Sequence, residues 1–260
     1  MKPSKGLLWG LAIAIVLMLT AGLALTWWGE TGKPKSVREL GAELHDGDRE
    51  VRRAAARELC RLGPQAEPAK EDLLAALGDK DSEVALMAVQ ALGQIGLPAV
   101  PGLAQALKDD DPGVRRKATM ALAAIGKPAL PVLAVALRDP DQRVSVGAAV
   151  DLAHMGPVAI PTLTRALKSR EMEVRQGVAL ALGQMGPQAR EAVGPLSAAL
   201  GDPSPVVRAA AAWSLGEIGP AAKTAVRALD KALEDRDKRV RQAAAAALKK
   251  IDPAAARRAP

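Results

Sequence analysis

Residues 109–137 read DDDPGVRRKATMALAAIGKPALPVLAVAL, and this stretch decides the fold. Counted from Val114, apolar or small side chains recur at offsets 4, 7, 8 and 11, as Ala118, Ala121, Leu122 and Ile125. At the helical turn per residue these share one side of an α-helix. Asp111 stands three residues before the valine, where its side-chain oxygen can accept from a free backbone N–H of the first turn. Gly126 ends the helix as a left-handed residue after its last turn, and Pro128 prevents continuation. A second, shorter helical run follows, from Pro131 to Leu137, opening with a proline that a first turn tolerates.

The same unit recurs along the chain. Its opening valine appears as Val51, Val84, Val114, Val144, Val174, Val207 and Val240, at spacings of 33, 30, 30, 30, 33 and 33 residues. Asp48, Asp81, Asp141, Ser204 and Asp237 repeat the N-cap, and Glu171 stands there in the fifth copy. Gly63, Gly96, Gly156, Gly186 and Gly219 repeat the stop. The three extra residues of the longer copies are expected to add a turn to the second helix. Helices this short cannot bury an apolar face alone, whereas stacked in series they can. The sequence therefore predicts an all-α fold, an α-solenoid of about seven stacked helical hairpins over residues 37–253, with a C-terminal tail at 254–260.

Composition agrees with this reading. The chain has no Phe and no Tyr, and three of its four tryptophans, Trp9, Trp27 and Trp28, lie near the start. The core must be Ala, Leu, Val, Ile and Met, which suits close-packed helices and not a β architecture. The net charge of +7 favours acidic proteins, anionic surfaces or nucleic acid without choosing among them.

Residues 7–28, LLWGLAIAIVLMLTAGLALTWW, carry no charge. As a helix they span roughly 33 Å, enough for a hydrocarbon core, with Trp27 and Trp28 at interfacial depth. A transmembrane signal-anchor helix is expected there, after a short basic tail at 1–6 and before a Gly/Pro/Lys linker at 29–36. A cleaved signal peptide is the rival, but its apolar region would be shorter and its cleavage site clearer. Lys2 and Lys5 before the segment favour the solenoid on the extracytoplasmic side of the membrane.

An acidic residue five before the valine and an arginine one after it form the most specific motif: Asp46 with Arg52, Asp109 with Arg115, Asp202 with Arg208, Asp235 with Arg241. With the periodicity, this resembles HEAT repeats, in particular the short PBS-lyase-like kind. The resemblance covers nearly all of residues 37–253. It implies that these residues form a structural ladder, each Asp bonding within or between repeats. Ala85, Ser145 and Ser169 depart from the motif, so the ladder is expected to break in the middle.

The sequence offers no evident chemistry. His45 and His154 are about three repeats apart, and neither they nor Cys60 stand at metal-ligand or catalytic spacing. Nucleophile-elbow and phosphate-loop motifs are absent. No catalytic residue, cofactor, metal or small-molecule substrate is expected. By the resemblance, the Val-Arg helix lines the concave face. Its offset-6 column holds Met120, Val150, Leu180 and Trp213, and its offset-2 column holds Arg53 and Arg116. Those six are the candidate partner-binding residues, since Trp and Arg anchor interfaces. The leading function is thus a membrane-anchored scaffold for protein partners. A bilin lyase-like enzyme or pigment chaperone follows from the resemblance alone. Nucleic-acid binding is invited by the arginines, but the chain lacks the aromatic platforms it needs.

Overall fold

The computed structural model describes residues 34–252. The expected membrane helix at 7–28, the N-tail, most of the linker and the C-terminal tail lie outside the described residues. Among the described residues no single helix is long and apolar enough to cross a membrane.

Among the described residues fourteen α-helices follow one another, alternately short and long. The short ones are α1 (Val37–Glu43), α3 (Lys70–Ala76), α5 (Val100–Ala106), α7 (Leu130–Leu133), α9 (Ile160–Ala166), α11 (Val193–Ala199) and α13 (Val226–Ala232). The long ones are α2 (Arg49–Leu62), α4 (Ser82–Ile95), α6 (Pro112–Ile125), α8 (Gln142–His154), α10 (Met172–Gln184), α12 (Pro205–Ile218) and α14 (Lys238–Ile251). Each hairpin is therefore short-then-long, because α1 precedes the first Val-Arg helix. Each long helix packs on the next long one, so the stack has a long-helix layer and a short-helix layer.

The long helices begin as the sequence implies. Asp48, Asp81, Asp111, Asp141 and Asp237 accept backbone N–H bonds from their own first turns. Ser204 and Glu171 occupy the same position without a side-chain cap bond. Their ends differ from expectation in one respect. All six stop glycines have positive φ, but where Gly63 shows φ 60° and ψ −127°, Gly156 shows φ 79° and ψ −159°. That is not the left-handed helical well; it is a region essentially closed to any residue with a Cβ.

The three extra residues of the 33-residue copies do not lengthen the second helix. They lengthen the 3₁₀ turn leading into it: Gly63–Ala69, Gly186–Ala192 and Gly219–Ala225, against Leu97–Ala99, Lys127–Ala129 and Pro157–Ala159 in the shorter copies. The short helix must match its neighbours along the stack, whereas the turn lies at an edge and can absorb residues.

The core is two leucine columns facing each other. Leu73, Leu103, Leu133 and Leu163 come from short helices, and Leu92, Leu122, Leu152 and Leu182 from long ones; all are fully buried. Ala88, Ala118 and Ala148 of the long helices are fully buried beside them. Small residues let these helices nearly touch. A Cβ added to Gly216 would lie 2.9 Å from Ala247 Cα, and one on Gly93 2.7 Å from Ala124 Cβ.

A polar ladder runs along the edge where short helices turn into long ones. Its register differs from the simple pairing within one motif. Arg52 donates to the main-chain oxygen of Asp46 (2.8 Å), but its carboxylate partner is Asp79 of the next hairpin (2.7 Å). Arg115 likewise pairs with Asp139, Arg175 with Asp202, and Arg208 with Asp235, each at 2.7 Å. Each of these acceptors is preset by a local bond, as when Asp235 accepts the backbone N–H of Asp237 (2.8 Å). Asp109 does the same for Asp111, although Ala85 gives it no arginine. Among the described residues the partners of Arg241, on the last helix, are the carbonyls of Asp235 and Arg236.

The two last rungs make a test. Arg208→Ala removes a charge-assisted pair plus two carbonyl bonds and should destabilise the chain by about 2 kcal/mol, while Arg241→Ala, with carbonyl bonds alone, should cost about 1 kcal/mol. Urea denaturation of the two variants beside the parent checks the order.

Candidate partner-binding face

The long helices place their offset-6 side chains in a row across the stack. Met120, Val150 and Leu180 are half-buried, and Met120 and Leu180 pack partly onto the core. Trp213 closes the row at 38% exposure. Its indole lies on the preceding repeat, where a Cβ on Gly183 would come within 2.5 Å of Trp213 Cζ3. The indole is thus seated by backbone approach: the glycine beneath it leaves the room that its ring occupies. Leu86, at offset 2 of α4, is 43% exposed and is a further apolar side chain on these helices.

The two candidate arginines are engaged within the fold. Arg53 Nη2 bonds Asp81 Oδ2 at 2.7 Å and its guanidinium also meets Glu50 and Glu83. Arg116 pairs with Asp151 and donates to Thr119 Oγ1 at 2.5 Å. Gly147 makes room for that guanidinium, since a Cβ there would lie 2.4 Å from Arg116 Nε. Both arginines join neighbouring repeats and keep about a quarter of the side chain open, 25% and 29%. As they stand they shape the face more than they offer free charge to a partner.

Two residues of this layer were missed by periodicity alone. Asp151 is buried and anchors Arg116; Ser214 is buried and donates to the carbonyls of Ala179 and Ala210, both at 2.7 Å. The signal was there: both stand at offset 7, a column otherwise holding alanine in α4, α6, α10 and α14.

Other candidate groups stay apart. His45 Nε2 lies 3.0 Å from Asp72 Oδ1, and His154 is exposed on α8. Cys60 is a free thiol beside Gln90 and Gln94. Among the described residues no three His, Cys, Asp or Glu side chains converge as a metal cage would require.

The acidic edge is held well ionised. Hydrogen bonding from Arg53 holds the Asp81 carboxyl down at about 2. Arg143 does the same for Asp141, and Arg239 for Asp237, each to about 2. Arg208 also lowers Asp235. These carboxyls titrate lower in the folded chain than the roughly 3.9 of an unfolded one. Their stabilisation is therefore complete above about pH 4 and is lost as the pH falls through about 2.

Comparison with known proteins adds a family. The model for HEAT repeats matches residues 37–122, 71–150, 130–202 and 193–259. No curated protein matches. Among solved structures, a crystallised engineered protein is 27% identical, covers 84% of this chain and 68% of its own, and has a TM-score of 0.42. Human deoxyhypusine hydroxylase in complex with glycerol is 24% identical over 84% of this chain and 96% of its own, with a TM-score of 0.37. The complex of CpcE and CpcF of phycocyanin lyase from Nostoc sp. PCC7120 is 24% identical over 85% and 88%, with a TM-score of 0.39. At these TM-scores the likenesses carry nothing about activity.

Thermal unfolding followed by circular dichroism across pH should show a midpoint that changes little between pH 7 and about 4 and drops steeply below, as Asp81, Asp141 and Asp237 protonate. A midpoint that rises on acidification would contradict the assignment.

Proposed function

This chain belongs to the HEAT-repeat family, and from that premise we propose that it is a membrane-anchored, non-catalytic scaffold that binds another protein along its long-helix layer. The observation that carries the reading is the row Met120, Val150, Leu180 and Trp213: four apolar side chains, one per repeat, left partly open along the long-helix layer. Exposed apolar side chains in a continuous row are a common feature of interfaces, and a tryptophan resting on a rigid floor is a preferred anchor. Arg116, held in an inter-repeat ion pair on the helix that carries Met120, supplies a polar neighbour to the row, and Arg53 stands further along the same layer. Extended repeat surfaces bind partners without needing a reaction centre.

The anchor is part of the proposal and rests on the uncharged stretch at 7–28. With the basic residues Lys2 and Lys5 ahead of it, the solenoid lies on the extracytoplasmic side. Alkaline carbonate extraction tests this element: the full chain should stay with the membrane pellet, and a chain lacking residues 7–28 should be released.

Capture tests the binding. The tagged full chain, solubilised in mild detergent, should retain a specific protein. The folded triple variant Met120→Asp, Leu180→Asp, Trp213→Arg should retain it at least about tenfold less, the factor that a loss of roughly 1.4 kcal/mol in binding produces. Retention of the same protein by parent and variant alike would place the binding elsewhere on the molecule.

A further inference from the structure

The repeat rules fail together at one junction. Between the fourth and fifth hairpins the ladder arginine is Ser145 and the ladder aspartate is Ser169, and the helix that follows is capped by Glu171 without a side-chain bond. Elsewhere a missing partner is a single loss, as at Ala85, where Asp109 remains. Here both halves of the ion pair are absent. Ser145 turns its hydroxyl to the main-chain oxygen of Asp141 (3.3 Å), and Ser169 Oγ accepts the backbone N–H of Glu171 (3.3 Å). Neither reaches across to the other repeat.

A groove of about 740 Å³ opens at this junction, between α7 with its 3₁₀ extension and α9 in the short-helix layer. Its floor includes Leu137 and Val174, and Val135 stands 63% exposed at its wall. Around it are Arg138, Arg165, Lys168 and Arg170, all exposed, and none of them forms an ion pair among the described residues. Glu171 is the one acid lining it. This reverses the rest of the edge, where the same turns carry paired acids such as Asp79 and Asp81, Asp139 and Asp141, and Asp235 and Asp237. Among the side chains lining the groove, cations outnumber acids four to one.

We propose that this groove binds an extended acidic segment of a partner protein, with one apolar side chain seated against Val135 and Leu137 and flanking carboxylates on the four cations. The carboxylate that every intact junction draws from its own chain would come here from the ligand. Charge complementarity selects an acidic occupant, and the apolar floor selects a peptide over a bare anion. The short helix spans roughly 10 Å, the length of about three residues of extended chain, so the motif is short. The groove is in the layer opposite to the Trp213 row and stands independently of the function proposed above.

The test uses the full chain in phosphatidylcholine nanodiscs and a fluorescein-labelled peptide with a central leucine flanked on each side by two glutamates. Fluorescence anisotropy should show saturable binding that weakens with salt, and no binding of the analogue with lysines in place of glutamates. Arg138→Glu with Lys168→Glu should weaken binding at least about tenfold, while Trp213→Ala leaves it unchanged. The pair Ser145→Arg with Ser169→Asp should rebuild the ladder rung, keep the fold, raise the thermal midpoint and also weaken the peptide. Four results would overturn the proposal: no saturable binding by the parent, equal binding by Arg138→Glu with Lys168→Glu, loss of binding in Trp213→Ala, or loss of the peptide when phosphatidylserine is added to the discs, which would give the groove to a lipid surface.

Discussion

The close approach of successive long helices is the constraint on which the rest of the structure depends. Backbones come within van der Waals reach at Gly216 against Ala247 and at Gly183 against Ser214, with no room for a side chain on either glycine. Such contacts need small residues at each crossing, which is why alanine fills the columns between leucines and why no phenylalanine or tyrosine occurs in the chain. The short helices do not close up in the same way in the middle of the stack, where grooves separate α7 from α9 and α9 from α11. The long layer is the tighter of the two there.

Apolar packing alone would let repeats slide, since one leucine column fits another at several offsets. The ladder removes that freedom. Arg52, Arg115, Arg175 and Arg208 each reach back to carbonyls of their own turn and forward to the aspartate of the next repeat, so they fix spacing along the stack. The pairs are only partly buried, which limits both their desolvation cost and their strength. Their main contribution is register. Arg53 with Asp81 and Arg116 with Asp151 extend the same device onto the long-helix face.

The two candidate surfaces arise from opposite departures from the repeat. On the long-helix layer, column residues that could be polar are apolar, and Trp213 lies open on a glycine floor. At the fourth junction, residues that should be charged and paired are small serines, and the surrounding cations are left uncompensated. A locally consistent array makes each of these stand out, because consistency across repeats is the background against which a functional departure is visible.

Helix type and the alternation of long with short helices were legible in the sequence because both depend on local rules: the valine-to-isoleucine periodicity, the aspartate caps and the glycine–proline stops act within one turn of chain. The leucine and alanine core followed from the same spacing. The first half of each hairpin was mis-phased, since nothing local says whether a short helix belongs with the long one before or after it; packing decides. The carboxylate partner of each paired ladder arginine was likewise fixed by a neighbour in the next repeat. The same holds for the face. Sequence named Met120, Val150, Leu180 and Trp213 as one column, but only the stacked structure showed Arg53 and Arg116 tied down by Asp81 and Asp151, because ion pairs between repeats depend on distances that no single repeat contains.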